Sequence, residues 1–156
     1  MLRYFRGHGP ASVKDFLWWT KLLVSEVRPV LADVTGRLES ITVDGTELWH
    51  APGLLDRHAE LAAACRAPIL VPGFDEILLG YGDRSATLAD EHVDQVVPGQ
   101  NGVFAPILLH RGTAIATWRR PARGETTVTA SAFVDPLPAA VTRALPRLSR
   151  DYPVLG

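Results

Sequence analysis

The sequence predicts an α+β protein, helical at first and antiparallel β afterwards, and three observations carry that prediction. Apolar residues recur at helical spacing through the stretch ending at Val34. An Asp44-Gly45 pair, the strongest short-range hairpin signal, then sits between alternating runs in "LESITVDGTELWHAP". From Pro68 onward, "PILVPGFDEILLGY", "GVFAPILLHRGTAIATWRR" and "ETTVTASAF" are strand-like runs separated by Gly, Pro and charged turns.

Each element has a local reason. "MLRYFRGHGP" places Leu2 and Phe5 at helical spacing and breaks at Gly7, Gly9 and Pro10, so it reads as the last two turns of a helix. A helix that opens on the initiator methionine points to a truncated first element. "SVKDFLWWT" starts with Ser12 as N-cap and buries Phe16, Trp19 and Val13 on one face. After "KLLV", Ser25 caps a third helix, "EVRPVLADV", with Val27, Val30, Leu31 and Val34 as its apolar stripe. Pro29 falls near the first turn, where its missing N–H has no intrahelical partner to lose. Helix, helix, turn, helix and hairpin within about fifty residues is the order of a winged helix, whose third helix enters the major groove and whose hairpin touches the backbone beside it. The same fold serves as a packing module elsewhere, so the order alone leaves DNA contact and protein contact both open.

The predicted domains are a winged helix over 1–52, a linking helix over 53–67 carried by "LLDRHAELAAAC", and a small antiparallel β-barrel-like domain over 68–156. Within the last, "LADEHVDQVV" reads as one short helix, residues 110–112 and 121–124 read as turns, and "LPAAVTRALPRLSRDYPVLG" reads as helical until about Pro146.

Composition narrows the chemistry. A chain of 156 residues with 47% hydrophobic content can bury one substantial core or two small ones. A net charge of −1 excludes a whole-protein positive field, so nucleic-acid binding has to come from a local patch. The single cysteine, Cys65, excludes an internal disulfide and a cysteine-based zinc site. His8, His50, His58, His92 and His110 show no metal-ligand spacing, and no metal or cofactor is predicted. No apolar run is long enough to cross a bilayer and the N-terminus lacks the long apolar stretch of a signal peptide, so the expectation is a cytoplasmic protein without a membrane partner.

No G-x-S-x-G occurs, and "GYGDRS" imitates a phosphate loop only at its start. Asp75 and Glu76 are adjacent on a predicted strand and so face opposite sides of it, which fits turn bonding better than a shared acid/base site. Basic residues gather in two places: Lys21, Arg28 and Arg37 around the third helix and the root of the hairpin, and Arg111, Arg119, Arg120 and Arg123 on the sheet portion.

"HGPASVKDFLWWT", "PILVPGFDEILLGYGDRSA" and "VPGQNGVFAPILLHRGTAIATWRR", in this order over about residues 3 to 120, resemble the C-terminal half of the AlkZ-like (YcaQ-like) winged-helix DNA glycosylases. The resemblance implies that residues 1–50 are a late winged helix of a tandem, that residues 68–135 are a barrel, and that the partner is double-stranded DNA in repair of alkylated or crosslinked bases. Asp83 and Arg84 would then fix the end of a barrel segment. DNA contacts are expected from Lys21, Ser25, Arg28, Arg37 and the wing around Gly45, with Arg119 and Arg120 on the sheet portion.

Family glycosylases carry a Gln-apolar-Gln or Gln-apolar-Asp motif in their N-terminal region. This sequence has two glutamines, Gln95 and Gln100, and neither stands two residues before a Gln or Asp. No catalytic residue is therefore carried over, and glycosylase activity is not expected of this chain alone. Two alternatives stand beside the DNA module. One is an interaction module that dimerises, or takes a missing N-terminal half as its partner chain, with "FLWW" as its aromatic surface. The other is an enzyme with a barrel site built from Asp75, Asp83, Arg84 or His110.

Overall fold

Helices α1 (Leu2–His8), α2 (Val13–Thr20) and α3 (Val24–Thr35) lead into a hairpin of β1 (Glu39–Val43) and β2 (Thr46–His50) in the computed structural model, which describes residues 1–152. The described chain forms two compact units. One comprises Met1–Ala62 with Glu76–Asp83, and the other comprises Ala63–Asp75 with the chain from Arg84 onward.

In the first unit, Ser12 is the N-cap of α2, as its sequence position predicts, and a full capping box forms. The Asp15 N–H donates to Ser12 Oγ at 3.1 Å, while the Ser12 N–H donates to Asp15 Oδ2 at 2.9 Å. Phe16 is buried, but Trp19 stays 44% exposed rather than joining the core face.

Helix α3 begins earlier than expected. Its N-cap is Leu23, and Ser25 is the second helical residue rather than the cap. Glu26 accounts for this start, because its Oε2 accepts the Leu23 N–H at 2.7 Å and satisfies a donor at the helix end. The shift moves Pro29 to the sixth helical position, where its ring does remove a bond to the Ser25 carbonyl. Ser25 is exposed, so water can take that carbonyl. The buried stripe is Val27 with half-buried Leu31 and Val34, at i, i+4 and i+7, whereas Val30 points outward.

The predicted hairpin forms in strict register from Glu39↔His50 to Val43↔Thr46. Asp44 (φ 48°) and Gly45 (φ 77°) both occupy the left-handed region, which is the two-residue type I′ turn that the Asp-Gly pair favours. A bridge between Ala11 and Trp49 ties the segment before α2 to β2. Gly9 is forced to be glycine by this approach: a Cβ there would lie 2.4 Å from the Phe5 carbonyl oxygen and 2.6 Å from that of Trp49. Around these elements Tyr4, Phe5, Ala11, Phe16 and Val27 form the core of the unit.

The predicted linking helix divides into α4 (Leu54–Glu60) and α5 (Ala62–Cys65), with Leu61 between them out of helical geometry. Neither piece has a buried residue, so no packing holds them in one helix. Further on, "DEILLGY" is not a strand: Glu76–Leu79 forms the single turn α6, closed by the Gly80 N–H on the Glu76 carbonyl at 2.8 Å.

The second unit is built on a four-stranded antiparallel sheet of β3 (Ile69–Val71), β4 (Ile107–His110), β5 (Thr113–Arg119) and β6 (Thr129–Ala132), in that order. Among the described residues β3 and β6 do not pair, so the sheet is open where the sequence led us to expect a barrel. The strands are too short and too few to close. Arg111 (φ 57°) and Gly112 (φ 85°) make a second two-residue turn between β4 and β5, as the "HRG" segment predicts.

On β5, Ala114, Ala116 and Trp118 face inward, and the small alanines leave room for helix α8 (Ala139–Asp151). This helix runs through Pro146 instead of stopping there. Its Val141, Leu145 and Leu148 keep packing on the cluster of Leu70, Leu108, Ala116, Trp118 and Val128, while Pro146 and Thr142, whose carbonyl loses a partner, lie exposed. Residues beyond 152 in the predicted tail lie outside the described residues. The expected helix in "LADEHVDQVV" is a 3₁₀ turn, Asp90–His92, running into α7 (Val93–Val96).

Candidate nucleic-acid interface

The α2–turn–α3 segment places three of the predicted contact residues. Lys21 closes α2 in the left-handed conformation (φ 59°), its N–H donating to the Leu17 carbonyl at 2.9 Å. Its Nζ stands 3.5 Å over the Trp18 ring, a cation–π contact on the outside of the unit. On α3, Ser25, Arg28 and Ala32 share one exposed face by their i, i+3 and i+7 spacing, turned away from Val27 and Val34. Glu26 and Asp33 fall on a different exposed face, so Arg28 is separated from the acidic side chains of its own helix.

Arg37 follows α3 and is exposed, and Gly45 is at the hairpin tip with open space around it. These five positions therefore belong to one unit and to consecutive elements of it. Arg119, the last residue of β5, and Arg120 are exposed on the second unit.

A second group was not predicted as a group, because its members are far apart in sequence. Asp15, 7% exposed, accepts the Gly82 N–H on Oδ1 at 3.0 Å and the Ser12 hydroxyl on Oδ2 at 2.6 Å. Tyr4 donates its hydroxyl to the Gly80 carbonyl at 2.8 Å, and Tyr81 donates to the His8 carbonyl at 2.6 Å. Glu76 Oε2 accepts the Trp19 indole N–H at 3.1 Å and lies 3.3 Å from His8 Nε2. The His8 ring stacks on Tyr4, centroids 4.6 Å apart.

Burial raises both tyrosine hydroxyls above the ordinary tyrosine range, with the Asp15 carboxylate the next cause. The returning segment Glu76–Asp83 is thus strapped to α1 and α2 by polar groups at both ends. The one sequence signal for this was Asp15 three residues after Ser12, the spacing of a capping box.

The residues proposed for a barrel enzyme divide between the units: Asp83 belongs to the first, and Asp75, Arg84 and His110 to the second. Among the described residues no group of three or more His, Cys, Asp or Glu is placed to hold a metal ion, and no helix is long and apolar enough to cross a membrane.

Comparison with known proteins then places the chain. The family described as DNA glycosylase AlkZ-like matches residues 1–150. The chain belongs to the AlkZ-like DNA glycosylase family. An interstrand DNA cross-link repair glycosylase of Streptomyces sahachiroi is 30% identical to this AlkZ-like chain over 122 residues, covering 74% of the chain and 32% of that protein. The solved structure of the Streptomyces sahachiroi DNA glycosylase AlkZ is similar with a TM-score of 0.70 and 25% identity, over 94% of this chain and 41% of that one. The AlkZ-like chain therefore spans about a third of the length of the curated relative it matches.

Proposed function

We propose that this AlkZ-like chain is a winged-helix DNA-binding protein of a DNA-repair family, with α3 as the helix that enters the major groove and the β1–β2 hairpin as the wing. The observation that carries the reading is the exposed Ser25–Arg28–Ala32 face on the helix that follows a tight turn at Lys21. A small residue beside a serine and an arginine lets a helix approach base edges while the arginine bonds to a base or a phosphate. Lys21, Arg37 and the wing at Gly45 contact the backbone on either side, and Arg119 and Arg120 add phosphate contacts from the second unit. The relatives' names give the partner class: they act on DNA.

Anisotropy titration of the chain with plain duplex at two salt concentrations tests this. Binding that weakens with salt, and a logarithmic salt slope that falls by about 0.9 in Arg28→Ala, is the expected result. A folded chain that leaves duplex unbound at low salt overturns it.

A second reading is favoured by the exposed apolar run of Trp18, Leu22, Leu23 and Val24, which DNA contact leaves without a role. A surface of this kind takes a protein partner, a second copy included, and self-association that rises with concentration in sedimentation supports it.

A further inference from the structure

Helix α8 buries one face and leaves the opposite one to arginine. Val141, Leu145 and Leu148 pack on the sheet of the second unit. Arg143, Arg147 and Arg150 are all exposed and recur at i, i+4 and i+7, which places them within about a sixth of the helix circumference, opposite those apolar side chains. Ala139, Ala140 and Pro146, exposed beside them, are small and uncharged. Helix stability does not account for the three charges together. The helix C-terminus favours Arg150, and Asp151 lies 3.8 Å from Arg147 Nη1 and 3.5 Å from Arg150 Nε. Both pairs are in solvent, and one carboxylate shared by two guanidinium groups leaves the face positive. Arg143 stands too far from the C-terminus to gain from the dipole, and its i, i+4 spacing to Arg147 sets like charges together.

The connection from β5 to β6 adds to the same end of the unit. The Trp118 ring lies 4.9 Å from that of Tyr152, and the Val128 N–H donates to Ser149 Oγ at 2.9 Å. Both ends of the connection are thus held to the C-terminal end of α8, and it carries exposed Arg120 and Arg123. Its Glu125 is turned onto its own loop, where it accepts the Ala122 N–H at 3.1 Å. Residues 119–151 hold six of the 16 basic residues against three of the 17 acidic ones, in a chain of net charge −1. A local patch of this kind is what a nucleic-acid binder of such low charge requires.

We infer that the arginine face of α8, extended by Arg120 and Arg123, is a second DNA-contact surface that grips the phosphate backbone without reading sequence. The inference takes its partner from the DNA-binding reading and adds a site on the second unit that works without the α3 face. Three guanidinium groups over about 10 Å of helix axis meet a polymer with one phosphate per about 3.4 Å of axis on each strand, so each can hold a separate phosphate. Guanidinium forks bond phosphate oxygens in pairs. A protein partner needs aromatic or apolar anchors at the centre of the contact, and this face has none. A bilayer needs an apolar face to insert, and that of α8 is already committed to the core.

The test is titration of the full chain with two duplexes of unrelated sequence across salt concentrations. It compares the parent with a variant carrying Arg143→Ala, Arg147→Ala and Arg150→Ala, with one carrying Lys at the same three positions, and with Arg28→Ala. The logarithmic salt slope should fall by about 0.9 for each arginine replaced by alanine, equally on both duplexes, and the lysine variant should keep the parent slope. Alanine and lysine are strong helix formers, so α8 should persist, and far-UV circular dichroism checks this. Should the alanine variant nonetheless unfold, Asp151→Asn decides the matter: removing the carboxylate should tighten duplex binding, and unchanged or weaker binding overturns the inference.

A parental slope in the folded alanine variant, with a lowered slope in Arg28→Ala, overturns the inference and leaves the winged-helix reading in place. The reverse pattern supports the α8 surface and removes α3 from the interface. Binding of phosphatidylserine vesicles that the alanine variant loses, with its duplex binding unchanged, makes the face a membrane contact and overturns the inference. A folded parent that leaves both duplexes unbound at low salt overturns both readings.

Discussion

The two units of the chain are held together by different means. The first packs rings against rings: Tyr4 lies 5.4 Å from Phe5 and from Phe16, and Asp15 and His50 are buried among the apolar side chains. The second packs Leu70, Leu108, Ala116, Val128 and Val141 beneath a single tryptophan, Trp118, whose indole donates to the Val71 carbonyl at 2.9 Å. An aliphatic sheet core is tolerant of shape but depends on volume. A core that contains hydrogen-bonded polar groups depends on each partner being present, since an orphaned buried donor costs more than the bond itself contributed. The unit that carries the proposed DNA-reading helix is therefore the one with the more specific, and more easily broken, internal chemistry.

The largest effect should come from volume. Leu108 has no exposed surface, and Leu108→Ala should cost about 2–5 kcal/mol through the cavity it leaves. Hydrogen exchange read by mass spectrometry should show lost protection in β3 to β6 with α1 to α3 still protected. Equal loss in both units would show that the two cores unfold as one and would break the comparison.

Asp15→Ala comes next, at about 1–3 kcal/mol, because the N–H groups of Ser12 and Gly82 lose their acceptor. Here the protection lost should be in α1, α2 and Glu76–Asp83. Unchanged stability would mean that the strap contributes nothing net.

What the sequence made legible follows this same division. Ser12 as a cap, the Asp44-Gly45 turn and the Arg111-Gly112 turn depend on residues within four positions of one another, and each formed as read. The strap did not show, because Tyr4 and Gly80, or Trp19 and Glu76, meet across 76 and 57 residues with no periodic signal between them. The run "DEILLGY" reads as a strand in the sequence because a short apolar run has no period that separates it from a helical turn. Its second residue, Glu76, is a partner of His8 and Trp19, which is a role no strand assignment could have offered. Pro146 misled for the opposite reason, since a local breaker was overridden by Val141, Leu145 and Leu148 packing on the sheet. Among the proposed contact residues, Lys21, Arg28 and Arg37 are exposed, as any solvated basic face would be, while Ser25 lies in the helix body rather than at the cap because Glu26 fixes the start of α3.

The smallest effect should separate the units by pH. Tyr4 and Tyr81 both belong to the first unit, and burial raises both above the ordinary value near 10. Each hydroxyl therefore binds its proton more tightly in the folded chain than in the unfolded one. The stability this represents is fully present below pH about 10 and is lost as pH rises through the folded values above it. Stability of the first unit should thus fall on the alkaline side while that of the second is little changed. Tyr4→Phe removes one of the two titrating groups and leaves the Gly80 carbonyl without its donor, so it should cost about 1 kcal/mol at neutral pH and flatten the alkaline decline. Urea midpoints followed across pH about 9 to 11 measure both changes at once. A decline as steep in Tyr4→Phe as in the parent would place the alkaline sensitivity elsewhere than in the strap, whereas a flatter one ties it to the ring that joins α1 to Gly80.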